Sequence, residues 1–275
     1  MNRTELKSAA KAQLRGNWLV YIVALIVAGG VSFSVSYVTS GKTFENLAFI
    51  STIASILVLF FVTIPFQATI EFFAARLSKG EKVEFADYGR PYQEYLRVLK
   101  AVLWRSLFQF LWGIVAYVGI VLGIITTVLA VIAGFAAYSA NAAAGGGSDW
   151  ATGLAAYAGI ASVVSLLLIV IGIVPAILAQ LRYTFALYVI NDDPESNYRS
   201  ALNRSKELTR GHKGELFVLQ LSFIGWYILT AITCGILAFY VLPYANTTIA
   251  NFYRKLIAEE EGVEFVAAVA VIEEF

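Results

Sequence analysis

The sequence predicts an all-α fold: a polytopic transmembrane helical bundle of about six spans in three hairpins, each preceded by a cytoplasmic amphipathic helix. Three observations predict it. The 275-residue chain is 59% hydrophobic and 14% charged, with a mean hydropathy of +0.72, whereas soluble domains carry about 25% charged residues. Charge is absent from five long runs, Asn17–Gly41, Asn46–Ile70, Ser106–Ser148, Trp150–Leu181 and Leu216–Tyr253, and each exceeds the roughly 20 residues that a helix needs to cross the hydrocarbon. The Lys and Arg residues gather between those runs in an alternating pattern.

The first span is expected over 17–39. Its run of 25 uncharged residues is longer than the apolar core of a cleaved signal peptide, about 7–15 residues, so it is read as a retained helix. A second span follows over 46–70. The third run ends in YSANAAAGGGSDWATG, residues 138–153, where small residues and three consecutive glycines predict a flexible loop. Spans over 106–137 and 154–181 flank it. The last run, 38 residues, is too long for one span, and a break near Thr233–Gly235 divides it into 216–233 and 237–253. These spans form one integral membrane domain, 1–257, followed by an acidic tail, 258–275, with Glu259, Glu260, Glu261, Glu264, Glu273 and Glu274 around a short apolar stretch.

Positive charge orients the bundle. Of 20 Lys and Arg, 4 precede the first span, 7 lie between Glu71 and Arg105, 6 between Arg182 and Glu215, and 2 after Tyr253, which leaves only Lys42 on the other side. Six spans with both termini cytoplasmic, in the cell membrane, satisfy the positive-inside rule better than five.

The three basic segments share helical periodicity. Lys7, Lys11 and Arg15 form one stripe of the first, against Leu6, Ala10 and Leu14. Arg97 and Lys100 oppose Tyr92, Tyr95, Leu96, Leu99 and Leu103 in the second, and Arg199, Lys206 and Arg210 oppose Tyr198, Ala201, Leu202, Ser205 and Leu208 in the third. KAQLRGN at 11–17 and KELTRGH at 206–212 repeat a pattern in which Arg-Gly precedes an apolar run. Pro65, Pro175 and Pro243 stand one in each returning span, where a missing backbone hydrogen bond bends the helix.

Chemistry is sparse. A single histidine, His212, and a single cysteine, Cys234, do not make a common zinc site. GGGS at 145–148 lacks the Lys-Ser/Thr end of a phosphate loop. His212, beside Arg210 and Lys213, is read as a helix-end cap or interfacial contact, since a catalytic base needs an orienting partner. No catalytic residue, metal or cofactor is expected, and a net charge of +1 gives no reason to expect nucleic acid as a partner.

Polar groups within the spans are the better functional candidates: Gln67, Glu71, Gln180, Arg182, Asn246 and Asn251 all lie on the proline-bearing helices. Such amides also join helices to one another, and Glu71 and Arg182 are placed to reach the inner interface and pair there. GIVLG at 119–123 is read as a close helix contact rather than a dimer face.

ELKSAAKAQLRGNW (5–18), VINDDP (189–194), SKELTRGHKGELFVLQLSFIGW (205–226) and LPYANTTIANFYRKL (242–256) resemble signature segments of a family of bacterial integral membrane proteins, mostly Gram-positive, known as domain of unknown function 975. SKELTRGHKGELF is more distantly similar to the membrane domain attached to some glycerophosphodiester phosphodiesterases. Residues roughly 115–160 depart from the family pattern and read as an insertion. The resemblance implies a membrane bundle and no established activity.

The functional expectation is a non-enzymatic integral membrane protein, an accessory or scaffold module contacting anionic lipids or another membrane protein. Lys7, Lys11, Arg15, Arg199, Lys206, Arg210 and His212 are the expected headgroup contacts. The rival expectation is a transporter or channel for a small or amphiphilic solute, with the intramembrane amides lining its path.

Overall fold

The computed structural model describes residues 3–40, 48–144, 149–193 and 195–263. Among them every regular element is helical: α1 (Arg3–Leu14), α2 (Trp18–Ser40), α3 (Ala48–Val58), α4 (Ile64–Leu77), α5 (Arg90–Gln93), α6 (Tyr95–Ala144), α7 (Asp149–Tyr183), α8 (Ala186–Asp192), α9 (Tyr198–Leu208), α10 (Lys213–Leu221), α11 (Ile224–Ile232) and α12 (Ala238–Glu261). A π-helical segment, Leu59–Thr63, joins α3 to α4, and a 3₁₀ turn, Phe85–Gly89, precedes α5. Four stretches are long and apolar enough to cross a membrane: Thr52–Leu77, Tyr95–Ala136, Gly159–Asp192 and Lys213–Ile232. Within α2, Trp18–Val27 forms a shorter apolar helix.

The chain divides into two compact units, one of residues up to 103 together with those from 181 onward, the other of Trp104–Gln180. α12 is the centre of the first. It packs against α1, α2, α4, α9, α10 and α11 and buries Val241, Tyr244, Ala245, Thr247, Thr248, Ala250, Asn251, Phe252, Tyr253 and Leu256. A helix enclosed by other helices has little outer face to make apolar. This explains why α12 is absent from the four candidate crossings, although a span over 237–253 was expected, and why it continues to Glu261. The expected boundary between domain and tail at 257 falls inside it.

The repeated Arg-Gly motif becomes a repeated turn. Gly16 (φ 83°) and Gly211 (φ 91°) are left-handed, a conformation that costs a residue with a Cβ about 1–2 kcal/mol. Each ends a basic helix, α1 or α9, and lets the chain restart within a few residues as α2 or α10. The break expected near Thr233–Gly235 is also present, with Cys234 (φ 51°) and Gly235 (φ 87°) both left-handed between α11 and α12.

Pro65 shows how the fold accommodates a missing donor. A proline cannot bond the carbonyl four residues earlier, and the π segment shifts the ladder so that Ile64 N–H bonds Leu59 O. The Phe60 and Phe61 carbonyls receive side chains instead: Tyr95 Oη donates to Phe60 O at 3.4 Å and Tyr92 Oη to Phe61 O at 3.0 Å. The Phe61 ring stacks on Tyr95, centroids 5.6 Å apart.

The second amphipathic segment and the run that follows it form one helix. α6 runs unbroken for 50 residues, because no glycine or proline stands between Tyr92 and Trp112 to end it. The loop expected over 138–153 is also shorter. α6 continues through Ala144 and α7 begins at Asp149, the Asn-Ala-Ala-Ala sequence being rich in the best helix former. The triple glycine, residues 145–147, lies outside the described residues.

The second unit is a tightly apposed pair of helices from within α6 and α7. A Cβ on Gly119 would lie 2.8 Å from Ile169 N, and one on Gly172 would lie 2.7 Å from Ala116 Cβ and 2.8 Å from its Cα. The close helix contact read from GIVLG is therefore made inside the chain, against α7. Polar groups pin it: Ser165 Oγ donates to Gly119 O, Thr126 and Ser162 hydroxyls lie 3.5 Å apart, and Gln109 Nε2 donates to Gln180 Oε1.

Candidate functional site

The first unit carries a dense set of ion pairs around the turn after α8. α8 ends at Asp192, and the chain folds back through Asp193, whose carboxylate accepts from Glu195 N–H at 3.0 Å and whose carbonyl accepts from Ser196 Oγ at 2.8 Å. Arg97 Nη2 donates to the Ile190 and Asp193 carbonyls, each at 3.2 Å, which satisfies acceptors that a helix C-terminus leaves without an intrahelical partner.

Asp192 is the hub. Its Oδ1 lies 2.9 Å from Lys79 Nζ and 2.6 Å from Arg254 Nη2, and its Oδ2 lies 2.5 Å from Arg254 Nη2 and accepts from Tyr253 Oη at 3.1 Å. The Asp192 and Arg254 side chains are only 14% and 15% exposed. One carboxylate thus ties together the chain just after α4, the end of α8 and the last third of α12, elements whose residues lie over 60 positions apart. Arg204 on α9 reaches α12 in the same way, with Nη1 3.1 Å from Glu260 Oε1. That bond, first among several acidic neighbours, raises the Arg204 pKa above its ordinary value.

Between these elements lies a cleft of about 710 Å³ whose walls include Lys79, Asp192, Asn203, Arg204, Glu207 and Arg254. Its volume is within the roughly 300–1,000 Å³ of small-molecule sites.

The residues singled out from the sequence are distributed otherwise. Arg15, Arg199, Lys206 and Arg210 are exposed, and Arg199 Nε donates to Tyr198 Oη at 2.9 Å. Lys7 turns inward: its ammonium lies 4.4 Å from the Phe223 ring centroid and 3.5 Å from Ser222 O. Burial, then the charges of Arg3 and Lys11, lowers its pKa. Lys11 stands over Tyr244 at 5.4 Å. His212 occupies the residue before α10, as a cap should, but its ring makes no capping bond and lies 3.4 Å from Glu215.

Within the first unit, Gln67 and Arg182 are exposed, Asn246 Nδ2 donates to Leu242 O at 2.9 Å, and the fully buried Asn251 donates to Leu6 O at 3.3 Å. Gln180 belongs to the second unit and pairs with Gln109. Glu71 is partly buried, and Arg182 is exposed.

Sequence reasoning missed Asp192, Tyr253, Arg254, Lys79 and Arg204. The available signals were the position of Asp192 within VINDDP and the abrupt Arg254-Lys255 that ends a 38-residue uncharged run. The acidic segment expected to be a tail contributes Glu260 to the fold, whereas residues from 264 onward lie outside the described residues.

The described residues form an all-helical fold with four helices of membrane-crossing length and composition. Residues 1–260 match the family model described as protein of unknown function (DUF975), and the chain belongs to that family. It matches no curated protein and no solved structure.

Proposed function

We propose that the protein is a non-enzymatic integral membrane module of the cell membrane, crossing it about six times with both termini cytoplasmic, whose basic end grips anionic headgroups as an accessory or scaffold. The observation that carries this reading is a division among the cations. Arg76, Lys79, Arg97, Arg204 and Arg254 are engaged with carboxylates or carbonyls of the fold. Arg15, Lys206 and Arg210 are exposed, and no ion pair engages them among the described residues. Cations that do not stabilise the fold are available to phosphates, at about 1 kcal/mol each near an anionic surface. Arg15 and Arg210 stand beside the two left-handed glycines, where the basic helices end and the apolar ones begin. The distant likeness of residues 205–217 to a membrane domain attached to phosphodiesterases fits a module of this kind.

Replacing Arg15, Lys206 and Arg210 together by glutamine is expected to reduce co-purified phosphatidylglycerol and cardiolipin by about tenfold or more, measured by mass spectrometry of extracted lipid. Unchanged lipid content would reduce these residues to insertion signals. Orientation is checked separately. In a Cys234→Ala background, Gly146→Cys, which lies outside the described residues, should react with an impermeant thiol reagent in intact cells, and Val263→Cys should not. Labelling of Val263→Cys from outside would overturn the six-span arrangement with its 19-to-1 charge split.

A further inference from the structure

The cleft beside Asp192 has two electrical poles at different depths. The inner wall is made by Asp192, Arg254 and Lys79 over the buried Tyr253. One carboxylate there faces two cations, which leaves an excess of one positive charge. Neither cation is exhausted: Arg254 directs Nη2 to Asp192 and Nε to Ser78 Oγ at 3.4 Å, so its Nη1 remains, and Lys79 uses one of its three N–H groups. The outer wall is acidic. Glu207, with a 67% exposed side chain, and the exposed Asp193 and Glu261 line it. Arg204, the one cation among them, is bound to Glu260, and its Nη1 also lies 3.9 Å from Glu207 Oε2, so three carboxylates face a cation already held by a fourth. Asn203 and Ser200 add neutral hydrogen-bonding groups between the two zones.

An occupant matched to this gradient carries an anion inward and a cation outward. Inorganic phosphate would satisfy the inner wall alone, and a simple amine only the outer one. We propose that the cleft binds a phosphoethanolamine group, its phosphate on Arg254 Nη1 and Lys79 and its ammonium against Glu207 and Glu261. The volume beyond a single headgroup leaves room for the glycerol that carries it. Two sources share this chemistry: the headgroup of phosphatidylethanolamine and a soluble glycerophosphodiester. Only the lipid source rests on the proposal that this end of the protein faces headgroups. This site is distinct from the exposed cations invoked there for anionic lipid.

The full-length protein in a non-ionic detergent, titrated calorimetrically with glycerophosphoethanolamine, is expected to bind it at least about tenfold more tightly than phosphate or ethanolamine, since each alone forgoes one set of charge-assisted bonds. Glu207→Gln with Glu261→Gln removes only exposed carboxylates. It should weaken glycerophosphoethanolamine about tenfold and leave phosphate unchanged, whereas Lys79→Gln should weaken both. Absence of binding, equal affinity for phosphate, or indifference to the Glu207/Glu261 change overturns the proposal. In nanodiscs, competition by phosphatidylethanolamine but not by phosphatidylglycerol identifies the lipid as the source, and undiminished binding of the soluble diester identifies the latter. Neither arm depends on retention of anionic lipid by Arg15, Lys206 and Arg210.

Discussion

Replacing Asp192 by alanine is expected to cost about 3 kcal/mol of stability, because removing one partner of a buried ion pair leaves the other charge uncompensated. Arg254, 85% shielded from solvent, would retain only Ser78 Oγ among its described polar partners, and the Tyr253 hydroxyl would lose its acceptor at 3.1 Å. Lys79, about a third exposed, would lose less, because water replaces the carboxylate. The test is a double-mutant cycle of Asp192→Ala and Arg254→Met read by unfolding in detergent. Losing both charges should be far less damaging than the sum of the two single losses, with a coupling of about 1–3 kcal/mol. Additive losses would mean that the hub contributes nothing to joining α4, α8 and α12.

The second large effect is expected in the other unit. A leucine at Gly172 would drive its Cβ against the backbone of Ala116, within 2.8 Å of Cα, and backbone cannot rotate aside as a side chain can. The helices must separate, and overpacking of this kind costs about 1–3 kcal/mol, here at the upper end. Separation would also strain the bond from Ser165 Oγ to the Gly119 carbonyl. Gly134 is the control, since a Cβ there meets nothing within 4 Å. Gly134→Leu should therefore melt like the native protein, while Gly172→Leu should melt several degrees lower. Equal midpoints for the two would show that the helices do not approach closely at Gly172.

What was legible in the sequence was set by solvent. A charge is costly in hydrocarbon, so the stretches long and apolar enough to cross it, Thr52–Leu77, Tyr95–Ala136, Gly159–Asp192 and Lys213–Ile232, overlap uncharged runs and carry their charges near their ends. Turns that need a left-handed residue were legible too, at Gly16, Gly211 and Gly235, because few residues other than glycine take that conformation easily. α12 was harder to read, because the helices packed around it take the place of lipid that would demand apolar residues; Thr247, Thr248 and Asn251 are buried there. The Asp192 hub was invisible for another reason. Its partners stand at positions 79, 253 and 254, and a contact over such separations leaves no period in the chain. The inward turn of Lys7 onto Phe223 likewise cannot be seen in the stripe it shares with Lys11 and Arg15.

The unbroken course of α6 has a geometric consequence for a protein read as crossing a membrane. From Ser106 to Ala144 the helix carries no charge, and at 1.5 Å per residue this stretch is about 58 Å long. The hydrocarbon layer is about 30 Å thick, and a helix inclined by 40°, the upper end of the usual range, occupies about 39 Å of its own length in crossing it. Roughly 13 residues of uncharged helix, some 19 Å, therefore remain outside the hydrocarbon however the rod is inclined within that range. In such a crossing that surplus would lie among the headgroups or beyond them, at one end of the helix or shared between both.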